Sequence, residues 1–428
     1  MLRSPQRSSI DQLWCEGTVH VRQDPAKAEE KGTEVKGETL RMTGTGEGNY
    51  NLVVTGDLAE LQTDKIYIVG PEVNIEQATN KAWVVGDGAM KMDSETNFQG
   101  EVLAKAVPLT VHWSKSMLFN GESAEFYGNI QATQEKARLA CQWLQVYFTK
   151  PIQLKHGNRA DEPARVRNLV CSKEVRVEDS VFDGDRLVKY QRLEGPTVQM
   201  DALEPDEPSP QTPRGQKAKG GNSVTAYGPG SIRIWEPGGG EDPLGGPRPA
   251  TPRSTSAKPP APPGEKMRMT YVSFELRMDA NSKKNTAQFW KNVQVLHLPC
   301  PRHDAVINLD EILAVELPEN ALHIRCGKLK VLDGLEGGKP NKQMEAHEQV
   351  KIQGQGFWAY ADSVYFNELK QQLILEGKDG GNATLYKEER RGDNPQTYQG
   401  KRLIYNRSTG EIKGEGMTSI RGNAPPRK

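Results

Sequence analysis

Apolar and polar residues alternate along most of this chain in short runs, broken by Gly, Asn, Asp and Pro. Leu144, Val146 and Phe148 recur every second residue, as do Val175 and Val177, and Val350 and Ile352. Successive side chains of a strand point to opposite faces, so each run predicts a half-buried strand. The pattern repeats over the whole length and predicts an all-β chain of many short antiparallel strands. One stretch competes. Gln134 to Phe148 also reads as a helix, but its repeat partner, Ala321 to Val331, alternates as a strand, and both are predicted as strands.

The chain resembles itself. Ala124-Glu125-Phe126-Tyr127-Gly128-Asn129-Ile130 matches Ala287-Gln288-Phe289-Trp290-Lys291-Asn292-Val293. Leu109-Thr110-Val111 pairs with Met269-Thr270-Tyr271, Asn80 to Gly88 with Asn222 to Gly230, and Gly70-Pro71 with Gly195-Pro196. The offsets between copies grow from 125 at Gly70 to 142, 160 and finally 163 at Ala124. The two large steps fall on Pro/Gly-rich tracts. In the second of them, Glu236 to Gly264, 15 of 29 residues are Pro or Gly. Such tracts bury little apolar surface and are expected to be disordered loops. The offsets place them inside a repeated unit, not between domains.

A smaller signature also recurs: a small residue with apolar residues three and five positions on. Examples are Cys141/Leu144/Val146, Cys326/Leu329/Val331, Ala361/Val364/Phe366 and Gly400/Leu403/Tyr405. The odd step flips the alternation once, which predicts a bulge or tight corner in mid-strand. A third block, Leu13 to Val21, Leu169 to Val177 and Met344 to Ile352, closes each unit. The predicted organisation is the end of an incomplete unit over 1–36 and a β unit over 37–180. A β unit over 181–353 follows, with insertions at 202–221 and 236–266, and then a partial unit and polar tail over 354–428. The first block lies so near the start that an incomplete N-terminus is expected.

Ala361-Asp362-Ser363-Val364-Tyr365-Phe366 followed by Leu373-Ile374-Leu375-Glu376-Gly377 resembles the OstA/LptA-like repeats of lipopolysaccharide-transport proteins. Ala124 to Ile130 leading into Cys141 to Tyr147 is similar to them as well. The resemblance implies repeated open β-jellyroll units with a hydrophobic groove that shields acyl chains, joined edge to edge. Its expected ligand is lipopolysaccharide or another acylated envelope lipid. Its expected place is the periplasm or the outer membrane, although no signal peptide is visible. The implied groove residues are Leu144, Val146, Phe148, Val175 and Val177 in one unit, Leu329, Val331, Val350 and Ile352 in the next, and Val364 and Phe366 beyond. The alternative is a structural β-repeat of the cell envelope with a packed interior.

Composition changes this picture little. The formal net charge is zero, which argues against a nucleic-acid partner held by a basic excess. Mean hydropathy is −0.70, in keeping with thin cores. There is no apolar run of membrane-spanning length. Five scattered cysteines without a CxxC pair are no disulfide framework. His297, Cys300 and His303 sit within seven residues, but two prolines stiffen the segment and a surface loop is expected there. Gly86-Asp87-Gly88 lacks the Lys-Ser/Thr of a phosphate loop, and no carboxylate pair recurs between copies. No enzymatic activity, cofactor or resident metal is expected. Far-UV circular dichroism should be dominated by strand, and deleting 236–264 should leave the thermal midpoint nearly unchanged. A helical spectrum or a large drop in the midpoint would refute these two expectations respectively.

Overall fold

The computed structural model describes residues 11–23, 32–46, 49–63, 66–96, 102–154, 165–203, 221–237, 267–314, 317–354, 356–388 and 394–421. The interiors of both Pro/Gly-rich insertions, 204–220 and 238–266, lie outside these. Among the described residues the fold is all β. The first strands are β1 (Gln12–Gln23), β2 (Thr33–Gly46), β3 (Asn49–Gln62), β4 (Ile66–Glu76), β5 (Lys81–Val85), β6 (Gly88–Thr96), β7 (Val102–Trp113), β8 (Ser116–Phe119) and β9 (Ser123–Gln134). Then come β10 (Ala137–Phe148), β11 (Val166–Asp183), β12 (Arg186–Leu203), β13 (Gly221–Tyr227), β14 (Gly230–Pro237), β15 (Met267–Phe274), β16 (Arg277–Asn281) and β17 (Thr286–Pro299). A six-residue helix α1 (Leu309–Ala314) precedes β18 (Leu322–Glu336), β19 (Lys339–Gly354), β20 (Phe357–Asn367), β21 (Gln372–Glu376) and β22 (Ala383–Lys387). The last strands are β23 (Gln396–Gly400), β24 (Arg402–Asn406), β25 (Ile412–Glu415) and β26 (Thr418–Arg421). Gln134 to Phe148 holds no helix: β10 pairs with β9 from Ala137 to Tyr147.

The chain packs into two compact units, 1–177 with 196–223, and 178–195 with 224–428. These are units of spatial packing and divide the chain differently from the sequence repeats. No helix among the described residues is long and apolar enough to cross a membrane.

Each unit is organised by bent strands. β9 pairs with β8 through residues 124–127 and with β7 through 131–134. The switch falls at Gly128 and Asn129, both at positive φ, where β10 slips register between Cys141 and Trp143. Two residues thus oppose one, as in a bulge, and the outward face of one half becomes the inward face of the other. The second copy repeats the device: β17 changes partner at Lys291 and Asn292, again at positive φ, opposite a slip at Cys326. In β19, Glu348 and Gln349 take positive φ, and β20 changes partner from β22 to β21 just past Ala361. The small-residue signature therefore marks corners, as its odd spacing predicts.

The corners leave two cross-strand rows in each unit, buried at every position named below except half-buried Ile232. In the first, Leu40, Val54, Val73, Val84, Met117, Phe126 and Leu144 are register neighbours in succession, each at most 2% exposed. The facing row runs Val35, Leu61, Ile68, Met90, Val111, Ala132, Leu139. Trp113 on one sheet meets Phe126 on the other at 5.4 Å between ring centroids. In the second unit the rows are Met278, Phe289, Leu329, Ala346, Val364, Leu375, Leu403 and Ile232, Val272, Val295, Ile324, Ile352, Ala359, Leu385.

One pairing of the repeat needs correction. The offset of 160 sets Val111 opposite Tyr271, but a one-residue slip moves a side chain to the other face. Trp113 and Phe274 both stand over a turn glycine, Gly88 and Gly230 respectively. The structural offset is therefore 161, and Val111 corresponds to buried Val272. A Cβ at Gly230 would lie 2.8 Å from the Glu194 carbonyl and 2.6 Å from the Phe274 ring. Gly230→Ala should then cost about 1–3 kcal/mol by overpacking. Gly334→Ala, whose Cβ would meet nothing closer than 3.9 Å, should be neutral or slightly stabilising. Urea denaturation of both checks this, and equal effects would refute the close-packed corner.

Candidate functional site

The strongest candidate lies in the first unit, where its two sheets diverge away from the corners. A narrow open slot lies between them. One wall is Met90, Val111, Ala132 and Leu139, with Met92 and Leu109 in the next row out. The other is Phe126 and Leu144, then Ala124 and Val146, then Phe148, with Leu169 and Met200 beside them. Polar groups are confined to strand ends: Ser94, Gln134, Arg167, Asp201 and Asn222. Such an apolar cleft with a few polar groups is the ordinary form of a small-ligand site.

The corner that shapes this slot is held by side chains. Gln142 accepts from the Asn129 backbone N–H at 3.2 Å. Its amide donates to Asn129 Oδ1 at 3.0 Å and Glu174 Oε2 at 3.1 Å, tying together the corners of β9, β10 and β11. Two thiols sit in the same corner. Burial, with Cys141 as neighbour, pushes the Cys171 thiol well above its ordinary range. In the other unit burial, with Glu348 adding to it, pushes Cys326 up to about 12. These cysteines are free and buried, small apolar fillers and not nucleophiles.

Of the residues implied by the resemblance, Leu144, Val146 and Phe148 line the slot together. Val175 is buried and Val177 half-buried past the Lys173–Glu174 corner, and neither lines it. In the second unit Leu329 and Val364 lie in one buried row and Ile352 in the facing one. Val331 neighbours Met344, which neighbours Phe366, and Val350 neighbours Ala361. That interior is filled: Phe357 stacks on Tyr405 at 5.7 Å, and the Arg407 guanidinium covers Phe366 at 5.6 Å. Met90, Met92, Leu109, Val111 and Leu139 form the wall that sequence reasoning missed. Their alternation is visible, but nothing local says which strand they face.

Of the His297–His303 segment, His297 to Pro299 end β17, and the loop that follows is exposed at Pro301 and Arg302 but anchored inward on either side of them. Cys300 is buried against Trp235 and Met269, and its carbonyl accepts from Trp235 Nε1 at 2.9 Å. His303 lies edge-on to Tyr190 at 5.0 Å and Trp235 at 5.8 Å. The following residues, with α1, cover an apolar patch around Leu296 and Tyr271. No cluster suited to a metal occurs among the described residues. A second, polar groove in the second unit is lined by Glu194 and Glu275. Glu194 is paired with Arg192 and Glu275 with Lys291 and Asn292, so both carboxylates are engaged.

No protein-family model matches this chain, and no curated protein does. The resemblance to OstA-like repeats rests on the residues themselves.

His297 bonds Thr270 Oγ1 through Nδ1 at 2.8 Å, while its Nε2 is buried without a partner. Burial above all, then Arg268 and Lys342, lowers its pKa to about 3. Burial, then Arg325, lowers His323 to about 4. Each binds its proton more readily unfolded, so stability is full above about pH 6.5 and falls as pH drops toward these values. Copy one carries Gln134 where copy two has His297. His297→Gln should therefore shrink the stability lost between pH 7 and 4, by on the order of a few kcal/mol. Urea midpoints at the two pH values measure it, and an unchanged difference would exclude His297 as a source.

Proposed function

We propose that this chain is a lipid-binding module of envelope transport or outer-membrane assembly, built as open β-jellyroll repeats. It holds acyl chains between its sheets and leaves the polar head outside. The observation that carries this reading is the slot, which joins Leu144, Val146 and Phe148 to a second apolar wall and opens at polar strand ends. Each buried methylene contributes ~0.8 kcal/mol, so a chain of about a dozen carbons gains roughly 10 kcal/mol before ordering costs. The resemblance supplies the cargo class, lipopolysaccharide or another acylated envelope lipid, the envelope location and edge-to-edge joining to further copies or partners. The structural alternative has one observation in its favour, the filled interior of the second unit.

The two readings separate by photo-crosslinking. A photoreactive side chain at Leu144 should capture lipopolysaccharide or phospholipid. The same group should not do so at Gln145, which faces away and bonds Glu125 at 3.0 Å. At Leu329, inside the filled row, no capture is expected. No capture at Leu144, in a variant whose circular dichroism shows it folded, would leave the structural account standing alone.

A further inference from the structure

The polar groove of the second unit offers chemistry of another kind, on the outer face of its sheet. Leu193, Ile232, Val272 and Val295 are register neighbours on the inner face. Successive side chains of a strand alternate, so Glu194, Ser231, Ser273 and Gln294 form a row on the outer face. All four line the groove. The two serines end one atom beyond Cβ, and the longer Glu194 and Gln294 flank them. The row is therefore a trough across four strands, about 14 Å long at ~4.8 Å per strand spacing. Tyr271 lies two residues to one side of it along the chain and Glu275 two residues to the other, with Asn292 and Pro229 completing the lining. The equivalent row of copy one is Val69, Ala89, His112 and Gln131, with no carboxylate and no serine.

Several polar atoms of this lining have no partner among the described residues. The hydroxyls of Ser231, Ser273 and Tyr271 make no hydrogen bond there. Gln294 Oε1 lies 3.3 Å from His323 Nε2, which leaves its amide N–H groups unused. Asn292 donates to Glu275 Oε1 at 2.8 Å, which leaves its own carbonyl oxygen unused. Glu275 Oε2 lies 3.6 Å from Lys291 Nζ, and a carboxylate offers about four acceptor sites, so Glu275 keeps some of its own. We infer that this groove binds a neutral saccharide. Adjacent sugar hydroxyls each donate and accept, as this mixture of hydroxyls, amides and carboxylate requires. The carbon face of a sugar ring finds apolar surface on Pro229 and Tyr271. Ions are poorer ligands. No cation lines the groove to hold a phosphate. Its two carboxylates already have cationic neighbours, Arg192 at Glu194 and Lys291 at Glu275, so an ammonium group gains little from them. The site stands apart from the acyl-binding reading, in the other unit and outside the sheets.

The test is saturation-transfer difference NMR on the full chain. The probes are glucose, galactose, mannose, N-acetylglucosamine, maltose and cellobiose. At least one should bind with a dissociation constant on the order of 1 mM. Ser231→Leu and Ser273→Leu each fill the trough and should weaken that binding at least tenfold. Glu275→Gln should weaken it about threefold by removing a charged acceptor. Gln145→Leu, in the first unit, should leave it unchanged, and circular dichroism checks that every variant is folded. Binding by none of the six sugars overturns the inference, as does binding that both serine variants keep. Inorganic phosphate or spermidine displacing the sugar at a concentration below the sugar's own dissociation constant also overturns it. Each of these outcomes leaves lipid capture at Leu144 unaffected, so the two readings fail separately.

Discussion

Everything in this molecule depends on the mid-strand corner. A straight strand shows one face to each side and can line one sheet of a core. Two adjacent residues in the left-handed region, such as Lys173-Glu174 or Glu348-Gln349, flip the alternation and turn the strand, so its two halves line two facing sheets. A non-glycine residue held there costs on the order of 1–3 kcal/mol. The rows that the corners create, such as Met278 to Leu403, bury side chains worth roughly 1.5–3 kcal/mol each where they are large. Burial along the row outweighs the strain at the corner, and a corner without its row would straighten.

The same geometry makes a slot available. Near the corner the two sheets are close enough for Trp113 to touch Phe126. Away from it they diverge, and the space must be filled by side chains, by water or by a ligand. In the second unit Phe366, Tyr405 and Arg407 fill it. In the first unit Met90, Met92, Leu109 and Phe148 line a slot. One scaffold thus yields a packed core in one place and a candidate acyl site in the other, by the volume of a few side chains. Methionine suits such a wall, since its unbranched thioether adapts to chains of different length.

Burial has also silenced much of the chemistry that the sequence displays. Cys171 and Cys326 are held as thiols, and His297 and His323 are held neutral. The Cys300–His303 segment closes over Trp235 as packing. None of these groups is presented to a substrate in the way that nucleophilic or metal chemistry needs.

The sequence by itself determined the strands, their corners and the internal repeat, because all three are local. Alternation follows from strand geometry, and the small residue before Leu144, Leu329, Val364 and Leu403 reports the bulge that follows it. It also marked Leu144, Val146 and Phe148 as one apolar face. Only the tertiary structure decided that this face lines a slot while Leu329, on the matching face, is buried in a cross-strand row. It also assigned Val350 and Ile352 to the sheet opposite Leu329, and it moved one repeat pairing by a residue, to Trp113 and Phe274. A slot is the difference between the volumes of two walls that meet across the fold. Periodicity reports which way a side chain points and carries no information on what stands opposite.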